Sequence, residues 1–187
     1  MKYAPQSDYL DNLLVEMDLM GLNDNGGTDK ATDHSYTGMY ESLFTPLFDK
    51  PVDILEIGIY QGGSLALWSQ AFQKATITGI DISDQIREGA RKYFEDVRLI
   101  FTDAYAPRQT TLEFDIIIDD GPHTFQSFVS CIDLYVPKLK QGGMLIIEDI
   151  KSIEQAQHLS EYSKNAEIVD HRHYKGRFDD ICLIVRK

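Results

Sequence analysis

The chain has 187 residues, 43% of them hydrophobic, which suits one compact domain with a real core and argues against disorder. Thirty acidic against 18 basic side chains give a formal charge of −12, which repels phosphate backbones and anionic lipid, so neither a nucleic-acid nor a membrane partner is expected. No apolar run approaches the roughly 20 residues of a membrane span. The opening MKYAPQSDYLDNLL has no signal-peptide core. Cys131 and Cys182 lie far apart in apolar patterns and read as reduced core residues of a cytoplasmic protein.

Ser7 is placed to cap a helix on which Leu10, Leu13, Leu14, Met17 and Met20 recur at helical spacing, ending near Gly21. A polar loop over 23–33 follows. Tyr36, Met39, Tyr40, Leu43, Phe44 and Leu47 then predict a second amphipathic helix, ended before Pro51. From Val52 the pattern becomes strands alternating with helices. Strands are predicted over 52–57, 76–81, 97–101, 114–119 and 144–148, and helices over 64–74, 86–94, from Phe125 to Leu139, and 153–163. Residues 166–169 and 181–185 read as two strands around a polar loop, KGRFDD. Such βα units closed by a hairpin-like pair predict a single doubly wound α/β domain.

Between the first strand and its helix runs Glu56-x-Gly58-x-x-x-Gly62-x-Ser64. Glycines here permit positive φ and close approach of backbone to a ligand. The loop matches neither the dinucleotide fingerprint nor the P-loop, and it has no lysine for a phosphate. Glu56 beside the glycines would repel a pyrophosphate and welcome a cation. Asp81 ends the second strand, where a carboxylate can take both ribose hydroxyls. Asp103, after the third, could reach an adenine amine, with Ile82 and Ala104 following these two acids. A ligand that joins adenosine to a positive, phosphate-free part is S-adenosylmethionine.

The strands 114–119 and 144–148 each run into a carboxylate pair, Asp119-Asp120 and Glu148-Asp149, with His123 close by. Parallel neighbours would bring those ends to roughly 5 Å. Like charges so close favour a cation between them, so a divalent metal with a histidine beside it is expected at this rim. Helix capping explains one Asp of the first pair but not the matched second pair.

Three blocks then carry a resemblance. They are Gly27-Thr28-Asp29-Lys30 followed by His34, Tyr36 and Tyr40; the E-x-G-x-x-x-G-x-S loop; and D-D-G-x-H followed by G-G-x-x-x-x-E-D. With them the chain resembles the class I S-adenosylmethionine-dependent methyltransferases, and among these the metal-dependent sugar O-methyltransferases of macrolide biosynthesis, the mycinamicin type, over roughly residues 25–187. The resemblance implies a Rossmann-like, seven-stranded, mostly parallel sheet of order 3-2-1-4-5-7-6 with strand 7 antiparallel. It implies N-terminal helices over 1–50 as a lid and a cofactor-binding domain over 51–187. It implies magnesium on Asp120, Glu148 and Asp149, His123 as general base beside Asp120, and cofactor contacts from Thr28, Lys30 and Tyr36 of the lid and from Asp119. Pro122 departs from the small polar residue usual at its place.

The expected activity is therefore magnesium-dependent O-methylation of a small hydroxylated acceptor such as a sugar, with homo-oligomerisation left open. The positive end of the helix after strand four should keep the His123 imidazole neutral. His158, His171 and His173 read as surface residues. Alternatives are a metal-independent methyltransferase acting on another nucleophile and a non-catalytic cofactor-binding scaffold. An iron-dependent oxygenase would want two histidines and a carboxylate, and the motif holds one histidine.

Overall fold

A computed structural model describes residues 2–106 and 112–187. Seven strands form one sheet: β1 (Asp53–Ile57), β2 (Thr76–Asp81), β3 (Arg98–Phe101), β4 (Phe114–Asp119), β5 (Leu139–Ile147), β6 (Ala166–Asp170) and β7 (Ile181–Arg186). Their order is β3-β2-β1-β4-β5-β7-β6, with β7 antiparallel to both β5 and β6 and the other pairs parallel. The order and the antiparallel strand are those the resemblance implies. The central strands read as near-continuous apolar runs because both sheet faces are covered.

The helices are α1 (Asp8–Glu16), α2 (Thr37–Phe44), α3 (Gly63–Ala71), α4 (Glu88–Arg91), α5 (Phe125–Tyr135), α6 (Ile153–Tyr162) and α7 (Arg172–Lys175). Side-chain alternation along the strands divides the core in two. On one face Ile54 and Ile116 meet Leu10, Leu14, Tyr40, Phe44 and Trp68 of α1–α3; on the other Leu55 and Ile117 meet Phe128, Ile132 and Leu159 of α5 and α6. Cys131 and Cys182 are buried and unpaired. No helix among the described residues is long and apolar enough to cross a membrane.

Several boundaries differ from the sequence expectation. α1 stops at Glu16 because Asp18 takes a left-handed φ of 58° and Met20 turns to bridge Thr28. α4 is one turn rather than a helix over 86–94, and α5 gives way at Tyr135 to a 3-10 turn carrying Pro137, whose missing N–H cannot continue the ladder. β5 starts at Leu139, before the glycines. The supposed surface His171 is buried at 2% exposure, its Nδ1 on the Ser35 carbonyl, so that reading is corrected.

The topology fixes where a ligand can sit. From β1 the chain winds outward through β2 and β3, then returns to β4 on the other side of β1, so a crevice opens at the β1/β4 carboxyl ends. Ile57 is in register with Asp119, and Asp119 with Ile147. Gly58, Asp120 and Glu148 are therefore the next residues out on three adjacent strands.

Candidate active site

The glycine loop is shaped by what it touches. Gly58 has φ 81°, and a Cβ there would fall 1.9 Å from the Asp120 carbonyl oxygen, so only glycine lets β1 close on the end of β4. Asp81 holds the loop itself: its Oδ2 accepts the N–H groups of Ile59 and Tyr60, both at 3.0 Å, and its Oδ1 accepts that of Ser83 at 3.2 Å. A cavity of about 590 Å³ opens over this loop, with Gly58, Asp81, Ile82, Asp103 and Ala104 at one end and Asp120, His123 and Asp149 at the other. Leu22, Asp29 and Tyr60 close its outer side. Asp103 turns to its own loop, accepting the Tyr105 N–H at 2.9 Å.

Asp119 lies under the cavity at 1% exposure and accepts a hydrogen bond from the Tyr105 hydroxyl. Burial pushes its carboxyl up to about 6 against the lowering pull of Tyr105, Cys131 and His123. Tyr105 can reach it only because residue 121 is glycine, where a Cβ would stand 1.9 Å from the phenol oxygen.

At the acidic end, Asp120, His123 and Asp149 each present a ligand atom within 4.8 Å of the others. His123 Nε2 lies 3.1 Å from Asp120 Oδ1, and its Nδ1 lies 3.6 Å from Asp149 Oδ2. Burial disfavours the His123 imidazolium, while Asp120, Asp149 and Asp119 together raise its pKa above the ordinary value, a pull that the helix end alone does not describe. Nor does His123 cap α5: the cap is Thr124, whose hydroxyl accepts the Ser127 N–H at 3.1 Å.

The outer oxygens of the two acids are held by the segment before and at the start of α2. Lys30 Nζ donates to Asp120 Oδ2 at 2.7 Å, which with His123 keeps that carboxyl below its usual range although burial opposes it. The Tyr36 hydroxyl donates to Asp149 Oδ1 at 2.6 Å, and His34 Nδ1 stands 3.3 Å from the same oxygen.

Glu148 is placed differently from its two expected partners. Its carboxylate is buried and takes hydrogen bonds from Lys30 and the Tyr40 hydroxyl, behind the cluster that faces the cavity. Glu56 is likewise fully buried, 3.9 Å from Lys30, and burial raises it to about 7 against the pull of that lysine. The expected cofactor residues thus fall into two groups. Gly58, Asp81, Ile82, Asp103 and Ala104 face the cavity. Thr28, Lys30, Tyr36, Glu56, Ser64 and Asp119 are buried behind its wall, and Gly62 caps α3 with φ 91°.

Asp180, Lys175 and Tyr105 escaped the sequence reading. Asp180 is completely buried and joins His34 Nδ1 at 3.1 Å. Lys175 Nζ donates to the carbonyls of Ala31, Thr32 and His34 at 2.8, 2.7 and 2.5 Å, clasping the loop that carries Lys30. The one available signal was Asp179-Asp180 directly before the apolar run 181–185, the mirror of the two acidic pairs that were read.

With Asp120 Oδ2 held by Lys30 and Asp149 Oδ1 by Tyr36, the oxygens that a hard divalent cation would take are Asp120 Oδ1 and Asp149 Oδ2, beside the His123 nitrogens. Glu148 joins such a set only by turning from Lys30 and Tyr40. The cavity suits an adenosine-bearing ligand, since its acids lie where ribose and base would meet β2 and β3, and no lysine or arginine among the described residues lines it.

Comparison with known proteins agrees with this architecture. Residues 55–150 match a family model described as a methyltransferase domain. A Streptomyces olivaceus protein named 8-demethyl-8-alpha-L-rhamnosyl tetracenomycin-C 2'-O-methyltransferase is 32% identical over 147 residues, 72% of this chain and 38% of that one. The mycinamicin VI 2''-O-methyltransferase of Micromonospora griseorubida is 29% identical over 134 residues, 63% of this chain and 32% of that one. The chain thus spans about a third of the length of these curated relatives. The solved structure of MycE methyltransferase from the mycinamycin pathway, in complex with Mg, SAH and mycinamycin VI, superposes with a TM-score of 0.61 at 26% identity, covering 77% of this chain and 37% of that one. A Pyrococcus furiosus methyltransferase gives the same TM-score at 17% identity over 80% of this chain and 81% of its own, a likeness of fold alone. With the family model matched across half its length and the strand order in place, the chain belongs to the methyltransferase-domain family and has the class I S-adenosylmethionine-dependent methyltransferase fold.

Proposed function

We propose that this protein is a divalent-cation-dependent O-methyltransferase that moves a methyl group from S-adenosylmethionine to a hydroxyl of a small molecule, a sugar or sugar-bearing natural product. The observation that carries the reading is the single cavity joining Gly58, Asp81 and Asp103 to Asp120, His123 and Asp149. In that reading residues 1–50 form the lid and 51–187 the cofactor-binding domain, and the buried unpaired cysteines fit a reducing cytoplasm.

Methyl transfer from a sulfonium is an in-line displacement. The acceptor oxygen bonds the methyl carbon as the carbon–sulfur bond breaks; sulfur leaves as a neutral thioether and the hydroxyl proton must go to a base. Most of the rate comes from holding oxygen and methyl in line. Asp81 and Asp103 locate the nucleoside, and the Gly58 loop lets the methionine part lie against backbone. His123 stands in the cavity wall beside the two open acids, where it takes the proton. Asp120 and Asp149 would hold a divalent cation, which would supply a Lewis acid for the hydroxyl and offset the negative field on His123.

Supporting this are relatives near 30% identity that are named as O-methyltransferases, one of a rhamnosyl tetracenomycin, and a neighbour solved with Mg and SAH. The test is transfer of a labelled methyl group to a panel of methyl glycosides and glycosylated polyketides, with magnesium and with EDTA. Label on an acceptor oxygen, lost with EDTA, is the expected result. Label on nitrogen or carbon, or transfer indifferent to EDTA, overturns the reading.

A further inference from the structure

The acids around the cavity are nearly all engaged. Asp81 and Asp103 accept backbone N–H groups, Asp120 is taken by Lys30 and His123, and Asp149 by Tyr36 and His34. Asp29 alone among them accepts no hydrogen bond from a described residue; His34 Nε2 lies 4.0 Å from it, and its side chain is 31% exposed.

Its position is fixed from both sides. A Cβ on Gly63 would fall 2.4 Å from the Gly27 carbonyl carbon, so the segment leading to Asp29 lies directly on the glycine loop. The next residue, Lys30, is anchored on Asp120. The Asp29 carbonyl accepts the N–H groups of Thr32, Asp33 and His34 at 3.0, 3.0 and 3.1 Å. Asp29 therefore lines the cavity on a segment that rests on the glycine loop at one end and is anchored on Asp120 at the other. Glu56, to which the sequence reading gives the cation, is instead buried beside Lys30.

We propose that Asp29 binds the α-ammonium of the cofactor's methionine part, a role that rests on the cofactor reading above. A free carboxylate in a rigid turn accepts a charge-assisted hydrogen bond with little reorganisation. The other acids of the cavity already have donors, and no lysine or arginine among the described residues lines it to compete.

Calorimetry on the full chain tests this with two probes. S-adenosylhomocysteine carries the ammonium; 5'-methylthioadenosine keeps the adenosine and thioether but lacks the ammonium and carboxylate. Asp29→Asn should weaken S-adenosylhomocysteine about 10-fold or more and leave methylthioadenosine unchanged, and Asp29→Glu should recover part of the loss. Equal effects on both probes, no effect on either, or a change confined to the acceptor's KM would overturn the assignment. If wild type bound neither probe, the cofactor reading would fall first and Asp29's role with it.

Discussion

Lys30 Nζ reaches Asp120 Oδ2 at 2.7 Å across 90 positions of the chain, and from the same buried point it donates to Glu148 and lies 3.9 Å from Glu56. One internal cation thus serves three acids, Glu56 and Glu148 sealed from water and Asp120 at the cavity wall. Removing one partner of such a set leaves uncompensated buried charge, which costs more than the set itself contributes.

Lys30→Met should therefore destabilise the protein by about 3–5 kcal/mol at pH 7.5. The deficit should shrink at pH 5, where the orphaned carboxylates take up protons. Urea unfolding at the two pH values measures it. A loss below about 1 kcal/mol, the size of an exposed ion pair, would show that Lys30 is not the counter-charge of this cluster.

The same cluster makes stability depend on pH through Glu56. Its carboxyl sits at about 7 in the fold against an ordinary value of 4.5. The folded state then binds more protons than the unfolded one between these values, so stability is full below about pH 4.5 and declines as pH rises towards 7. The contribution is on the order of 3 kcal/mol. Asp119, at about 6, adds a decline of the same sign over a lower window. Glu56→Gln keeps the shape and removes the titration, so its unfolding midpoint should change less than wild type's between pH 5 and 7.5. Parallel pH profiles for the two proteins would refute the assignment.

Which features were legible in the sequence follows from the range of the interactions. The βα alternation, the strand ends and the two acidic pairs are local, and a chain that buries both sheet faces writes them as apolar runs with polar ends. The engagement of Glu148 by Lys30 and Tyr40 is not local; it joins the loop before α2, α2 itself and the end of β5. Periodicity carries no trace of it, so Glu148 and Asp149 read as an equivalent pair although their side chains diverge. His171 and Lys175 looked like ordinary polar loop residues for the same reason: their partners are backbone carbonyls more than a hundred positions away. The pull of three surrounding acids on His123 was likewise not legible, because it comes from the ends of two strands that only the fold brings to the helix start.

Magnesium at millimolar concentration should raise the melting temperature, and EDTA should reverse the rise, since a cation that binds only the folded state stabilises it by mass action. Asp120→Asn or Asp149→Asn should each reduce or abolish the response, because these are the two acids that line the cavity with a carboxylate oxygen close to His123. A melting curve indifferent to magnesium in wild type would count against a metal site.

His123 and Asp149 both hold left-handed backbone conformations, with φ of 51° and 56°. Outside glycine this region is sparsely used and costs on the order of 1 kcal/mol, so a site that keeps two such residues side by side is spending stability on their placement. His123→Gly relieves the strain and should leave stability unchanged or slightly higher, while turnover falls about 100-fold or more, the usual worth of a positioned base. His123→Ala should lose the same rate without the gain in stability. Neither variant should cost a helix cap, since Thr124 and Ser127 provide it, and neither should alter S-adenosylhomocysteine affinity. Single-turnover methyl transfer and urea unfolding on the same preparations separate rate from fold. A glycine variant that turns over at the wild-type rate would end the role of His123 as base and leave Asp120, its hydrogen-bond partner at 3.1 Å, as the next group to test.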